Sequence, residues 1–158
     1  MKKVFKSWQE IDANCVQLAV NILKSDWRPD YIVGLTRGGL TPAVLLSHLL
    51  EVPMHTLKVQ LRDLNADYEH NAWMPEDVTE GKNILIVDDI NDTGDTLAWI
   101  RDDWEKSVFQ GDIAYHWHKR IRVAVLVNNM ASRESVDWHI DEINKAEDDS
   151  WICFPWEK

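Results

Sequence analysis

Four aspartates, Asp88, Asp89, Asp92 and Asp95, crowd the stretch ILIVDDINDTGDT in a chain already at formal net charge −10. Something they bind must offset their mutual repulsion. In so acidic a chain an anionic ligand needs local amide dipoles or a divalent cation beside it. The residues that follow change the chemistry. Asp92-Thr93-Gly94-Asp95-Thr96 opens a helix, whose first amides attract an anion, and the Thr93 and Thr96 hydroxyls can donate to the same ligand. With a phosphate there, the carboxylates of Asp92 and Asp95 must point away from it. Asp95 can then cap the helix, while Asp92 faces an adjoining part of the ligand. A second loop, GLTRGGLTP (Gly34 to Pro42), holds Gly38-Gly39, where a ligand can approach the backbone closely, beside the Arg37 guanidinium. The plain alternatives are strand-end caps at Asp88 and Asp89 and a tight turn with a solvated Arg37.

Both loops need elements to hold them. Ser7-Trp8-Gln9-Glu10 fits a capping box, and Trp8, Ile11, Cys15, Leu18, Ala19 and Ile22 recur at helical spacing after it. YIVGL (Tyr31 to Leu35) reads as a strand, and Thr41-Pro42 as the cap and first residue of a helix running to Leu50. Met54 to Val59 reads as a strand. Arg62 to Lys82 lacks periodicity and reads as a long loop with room for a hairpin, of the kind that forms functional lids. NILIVDD is the next strand, Thr96 to Lys106 a helix, and Arg122 to Val127 a strand. Val136 to Ile143 alternates like a half-buried strand. Continuous apolar strands alternating with helices predict an α/β fold: a single domain over residues 1–158 with a parallel sheet covered on both faces. Ligands of such folds sit beyond the carboxyl ends of the strands, where both loops fall.

The composition narrows the function. Seventeen basic residues against 27 acidic ones argue against a nucleic-acid partner, which needs a basic footprint. No run reaches the length of a membrane span, and the basic start MKKVFK leads into no apolar signal core. Cys15 and Cys153 match no metal spacing and read as inert thiols in a reducing cytoplasm. Neither a Gly-x-x-x-x-Gly-Lys-Ser/Thr loop nor a Gly-x-Gly-x-x-Gly after a strand occurs. His116, His118 and His139 show no ligand pattern, and the segment from Phe109 to Arg120 fits a surface that packs on another subunit.

ILIVDDINDTGDT resembles the signature of type I phosphoribosyltransferases: an apolar strand, two acidic residues, then Asp-Thr-Gly-x-Thr. VGLTRGGLTPAVLLSHLL is similar to the pyrophosphate-loop segment of that family, and SWICFPWE (Ser150 to Glu157) to the base-binding segment of its bacterial xanthine-guanine branch. The resemblance implies that fold, with a flexible lid loop and a small C-terminal hood, and a Mg²⁺-dependent transfer of the 5-phosphoribosyl group from 5-phosphoribosyl 1-pyrophosphate (PRPP) to a nucleobase. It implies that Asp88 and Asp89 bind the ribose hydroxyls, with Asp89 touching Mg²⁺ partly through PRPP and water. Thr93, Gly94, Asp95 and Thr96 would hold the 5-phosphate, and Thr36, Arg37, Gly38 and Gly39 the pyrophosphate, with a cis peptide near Thr36-Arg37. Asp92 would be the catalytic group, taking the proton from N7 of a purine. Trp151 would stack on the base and the Ile152 backbone would read its edge. Arg62 would reach the pyrophosphate from the lid, ahead of His70. A homo-oligomer, dimer or tetramer, is also implied.

The pattern departs from the family in two places, one of them the lid, which Lys58 and Arg62 flank but Asp63, Asp67 and Glu69 make acidic. The strand after the signature helix ends near a lysine that contacts the oxygen at purine position 6, whereas here Asn128 and Asn129 stand and no lysine follows until Lys145. An asparagine would offer a neutral hydrogen bond, which leaves the accepted base undecided. A non-purine acceptor and a regulator that senses PRPP or a nucleotide with the same fold stay open.

Overall fold

The computed structural model describes residues 1–61, 67–109 and 112–157. The chain runs β1 (Lys3–Phe5), α1 (Trp8–Lys24), β2 (Tyr31–Thr36), α2 (Leu40–Leu50), β3 (Met54–Gln60), β4 (Asp67–Tyr68), α3 (Trp73–Thr79), β5 (Ile84–Asn91), α4 (Asp95–Ser107), α5 (Ile113–His116), β6 (Ile121–Asn129), β7 (Asp141–Ile143) and β8 (Trp151–Cys153). Strands order as β4-β3-β2-β5-β6-β7, and β1 pairs with β8 in a separate two-stranded sheet. All pairings are parallel except β3 with β4.

The period of two along each strand sorts the core into two layers. Tyr31, Val33, Leu35, Ile84, Ile86, Val123 and Val125 pack under α3 and α4, against Met74, Val78, Leu97, Ile100 and Trp104. Ile32, Leu85, Val87, Ala124 and Leu126 face the other way, onto Ile11, Cys15, Leu18 and Ile22 of α1 and Leu46 of α2. The parallel sheet covered on both faces, expected from the unbroken apolar runs, is present. The capping box holds too: Ser7 Oγ accepts from the Glu10 amide at 3.1 Å, and the Ser7 amide donates to Glu10 Oε1 at 3.3 Å.

Three expectations need correction. Helix α2 starts at Leu40 with Gly39 as its cap, so Thr41 is not the cap. The Gly39 backbone is already helical, its carbonyl accepts from the Ala43 amide at 3.0 Å, and Pro42 sits in the first turn, where a missing N–H leaves no intrahelical bond unmade. The stretch through Lys82 is not all loop, because α3 lies within it. Asn71 Oδ1 accepts from the Met74 amide at 2.8 Å, and Met74 and Val78, four residues apart, are fully buried. The alternating run at Val136 to Ile143 is a strand at its last three residues alone. The Asp137 carboxylate takes the Val123 amide at 2.7 Å, removing a donor from the ladder, and a single bridge joins Trp138 to Ala124.

Part of the segment expected to face another subunit packs into this chain's own core. Ile113 and Trp117 are buried in the layer under α4, while Phe109 is 93% exposed.

Candidate active site

Strands β2 and β5 are neighbours, yet the chain leaves β2 toward β3 on one side and leaves β5 toward β6 on the other. The crevice between their carboxyl ends is the topological switch point of the sheet, the usual ligand site of open α/β folds. A cavity of about 810 Å³ opens there. Its walls include Thr36, Arg37 and Gly38 from the first loop, and Asp88, Asp89, Asp92, Thr93, Gly94, Asp95 and Thr96 from the second. Ten of the predicted residues therefore meet around one space. Gly39 stands behind the wall, where a side chain would meet the Val87 carbonyl oxygen at 2.4 Å. Arg62 lies outside the described residues. His70 bonds through Nδ1 to Asp103 Oδ1 at 2.6 Å, which ties the chain beyond β4 to α4.

The acids are held by their own backbone. Asp88 Oδ1 accepts from the Asp89 amide at 2.9 Å, and Asp89 Oδ1 accepts from the Ile90 amide at 2.8 Å. Asp89 is 9% exposed. A Cβ on Gly38 would come within 2.2 Å of Asp89 Oδ2, so the glycine lets the two loops touch. The peptide between Thr36 and Arg37 is cis, as the resemblance implied.

The second loop turns through Gly94 at φ 92°, a left-handed conformation that suits glycine, and Asp95 begins α4. Asp95 therefore does not cap the helix. Gly94 is the cap, and the Thr93 Oγ1 before it accepts from the Asp95 amide at 3.2 Å. Asp95 instead pairs with Arg133, Nη2 to Oδ1 at 2.9 Å.

A narrower recess adjoins the cavity and shares the walls of Asp89 and Asp92 with it. Trp151, Ile152, Phe154, Lys145, Ile90 and Glu157 complete it. The β1–β8 pairing holds this corner, with Ile152 opposite Val4. Lys145 is the residue that the sequence reading missed. Its Nζ lies 2.9 Å from Asp92 Oδ2 and 5.0 Å from the centre of the Trp151 ring. The asparagines at the end of β6 are scaffold. Asn129 Nδ2 donates to the Asp92 carbonyl at 2.8 Å, and its Oδ1 accepts from the Lys145 amide at 3.0 Å. Asn128 Oδ1 accepts from Asn91 Nδ2 at 2.9 Å. Neither asparagine lines the recess. A cation returns there from 16 residues beyond Asn129 instead.

A glycine turn that opens a helix, a carboxylate pair and an aromatic-walled recess thus share one crevice. The sequence model of the phosphoribosyl transferase domain matches residues 3–157. The chain belongs to the phosphoribosyltransferase family. It is 31% identical over 135 residues to a xanthine-guanine phosphoribosyltransferase of Cereibacter sphaeroides, covering 83% of this chain and 70% of the relative. It is 26% identical over 159 residues to the enzyme of that name from Idiomarina loihiensis, covering 99% and 88%. The solved structure of a purine phosphoribosyltransferase from Pyrococcus horikoshii superposes with a TM-score of 0.74 at 29% identity, covering 100% of this chain and 95% of that one.

Among the described residues of this phosphoribosyltransferase, no three His, Cys, Asp or Glu side chains gather into a metal cage. Asp88 and Asp89 still offer hard oxygen donors on the cavity wall. That fits Mg²⁺ bound by one or two carboxylates while a phosphorylated ligand and water supply its other oxygens. No helix among the described residues is long and apolar enough to cross a membrane.

Proposed function

We propose that this phosphoribosyltransferase joins the 5-phosphoribosyl group of PRPP to a 6-oxopurine base, releasing pyrophosphate and forming a nucleoside monophosphate. The observation that carries the reading is the Lys145–Asp92 pair beside Trp151, in a recess that opens onto the cavity of the two loops. A 6-oxopurine presents an acceptor, O6, next to a protonated N7. A cation and a carboxylate side by side match that edge, whereas the amino group of adenine would meet the ammonium donor to donor.

In this reading the amides from Thr93 to Thr96 and the start of α4 hold the 5-phosphate, and Thr36 to Gly39 hold the pyrophosphate. Asp88 and Asp89 accept from the ribose hydroxyls. As the bond from C1 to the pyrophosphate oxygen lengthens, the ring gains positive charge, and the two carboxylates beneath it stabilise that charge. The base nitrogen forms the new bond to C1, and Asp92 accepts the proton from N7. Trp151 stacks on the base, and the backbone of Ile152 bonds to its edge. Mg²⁺, held by Asp89 and ligand oxygens, would supply charge neutralisation on the departing pyrophosphate. The reading takes residues 1–158 as one working unit in a reducing cytoplasm and includes the homo-oligomer, which sedimentation tests.

Pyrophosphate release with PRPP, Mg²⁺ and each of guanine, xanthine, hypoxanthine, adenine and uracil tests the proposal. Turnover with the 6-oxopurines and none with adenine or uracil is expected. Activity confined to uracil would sink it, and PRPP binding without turnover on any base would favour a sensor.

A further inference from the structure

Asp95 poses a conflict within the proposed 5-phosphate loop. Asp95 lines the cavity at the first position of α4, where the helix amides are to receive a dianion. Like charges that close oppose binding, since even a water-exposed rim screens them incompletely. The loop after β6 answers the conflict. Arg133 Nη2 lies 2.9 Å from Asp95 Oδ1, and the Arg133 amide donates to the Thr93 carbonyl at 3.1 Å.

That loop is stitched to the phosphate loop at several points. Ser132 Oγ donates to Asn91 Oδ1 at 3.1 Å, and Asn91 Nδ2 donates to the Glu134 carbonyl at 2.8 Å. The Glu134 carboxylate grips Arg101 of α4 through two bonds of 2.6 and 2.5 Å. A Cβ on Gly94 would meet Ser132 Oγ at 2.8 Å and the Glu134 amide at 2.9 Å, so the two backbones are in contact. The arrangement delivers a guanidinium to Asp95 on a fixed backbone. An ion pair as exposed as this one, with side chains 62% and 59% accessible, adds little to folding stability. Its consequence lies in the local potential.

We infer that Arg133 is a positioning residue for the 5-phosphate subsite, acting by neutralising Asp95 so that the start of α4 accepts a phosphate dianion. This rests on the phosphate-loop assignment under Proposed function. The experiment is calorimetric binding of guanosine monophosphate and of guanosine at low and high salt. Proteins for the test are wild type, Arg133→Ala, Arg133→Lys, Asp95→Asn and the Asp95→Asn/Arg133→Ala double variant. Arg133→Ala should weaken the monophosphate about fivefold at low salt, the scale of a single screened like-charge contact, with guanosine unchanged and the effect shrinking in high salt. Arg133→Lys should retain most of the affinity, and the double variant should return to the wild-type value. Wild-type affinity in Arg133→Ala, or a double variant no better than Arg133→Ala, overturns the inference alone. A wild-type protein that binds the monophosphate no better than guanosine overturns the phosphate-loop assignment, and this inference with it.

Discussion

Lys145 reaches Asp92 across 53 residues of sequence, its Nζ 2.9 Å from Oδ2 and beside the Trp151 ring. A single cation therefore touches the proposed proton acceptor and the proposed stacking surface together. Lys145→Met keeps most of the side-chain volume and removes the donor. A charged hydrogen bond of about 1.5–3 kcal/mol corresponds to roughly a 10- to 100-fold loss of kcat/KM for 6-oxopurine bases. The KM for PRPP should stay within about twofold, since such uniform losses track the group removed. Initial rates with each substrate varied in turn make the comparison, and an unchanged kcat/KM for the bases would show that Lys145 makes no contact with the reacting base.

Asp92→Asn separates charge from scaffold, because Asn129 bonds to the Asp92 carbonyl rather than to its side chain. The loop should keep its shape while the proton acceptor is lost. Turnover is expected to fall about 100-fold or more, the usual contribution of a positioned acid or base. Calorimetry should find PRPP binding near wild type. Loss of PRPP binding would mean that this carboxylate faces the sugar phosphate after all.

Adjacent glycines should behave differently when given a methyl group. At Gly38 the clash is with the Asp89 side chain, 2.2 Å away, which can move. At Gly39 it is with backbone, the Val87 oxygen at 2.4 Å and the Leu35 oxygen at 2.9 Å, which cannot. Gly38→Ala should fold with a melting temperature near wild type and lose PRPP affinity through a displaced Asp89. Gly39→Ala should lose stability itself, by about 1–3 kcal/mol as overpacking typically costs. Thermal unfolding alongside PRPP titration distinguishes the two.

Sequence made the sheet and the two loops legible because the evidence for them is local. Unbroken apolar runs such as Ile84 to Val87 mark a doubly covered strand, and the Asp-Thr-Gly turn carries its own backbone demand at Gly94. Lys145 left no such trace. Its place depends on how far β7 carries the chain back and on Asn129 holding its backbone, and neither is written near residue 145. Helix α3 was hidden for a related reason: at seven residues it shows barely two turns of periodicity, and the Asn71 side chain that takes the Met74 amide stands before its cap, Ala72. At Asp137 a side chain replaces a ladder bond, so alternation continued where pairing did not.

Cys15 should be silent toward thiol reagents. It is fully buried on the inner face of α1, and burial, with the charge of Asp12 adding to it, pushes its pKa up to about 12. Thiolate is the reactive form, so almost none exists near neutral pH. An aromatic disulfide reagent should titrate fewer thiols in the native protein than in denaturant, and Cys15→Ala should abolish the difference. A second fast-reacting thiol in the native state would show that α1 opens readily.

His118 gives stability a pH dependence whose sign is fixed. Its Nδ1 lies 3.1 Å from Asp137 Oδ2 and its Nε2 3.2 Å from Ser135 Oγ. The hydrogen bond to Asp137 raises the histidine pKa above 6.5, with the charges of Asp137 and Glu134 assisting and burial and Arg101 opposing. A group whose folded pKa is raised stabilises fully below its unfolded value and loses that contribution as pH climbs through the folded one. Wild type should therefore exceed His118→Gln in melting temperature most clearly near pH 6, and the gap should close as pH rises beyond the raised pKa. The imidazole is 34% exposed, so solvent screening limits the pair to under about 1 kcal/mol, or at most about 2–4 °C in a chain of this size. Asp137 also accepts the Val123 amide, so its carboxylate stays fixed whether or not the imidazole is charged. A gap that widens toward alkaline pH would require the neutral imidazole to be the favoured form, and the hydrogen bond to Asp137 could not then be what holds the proton.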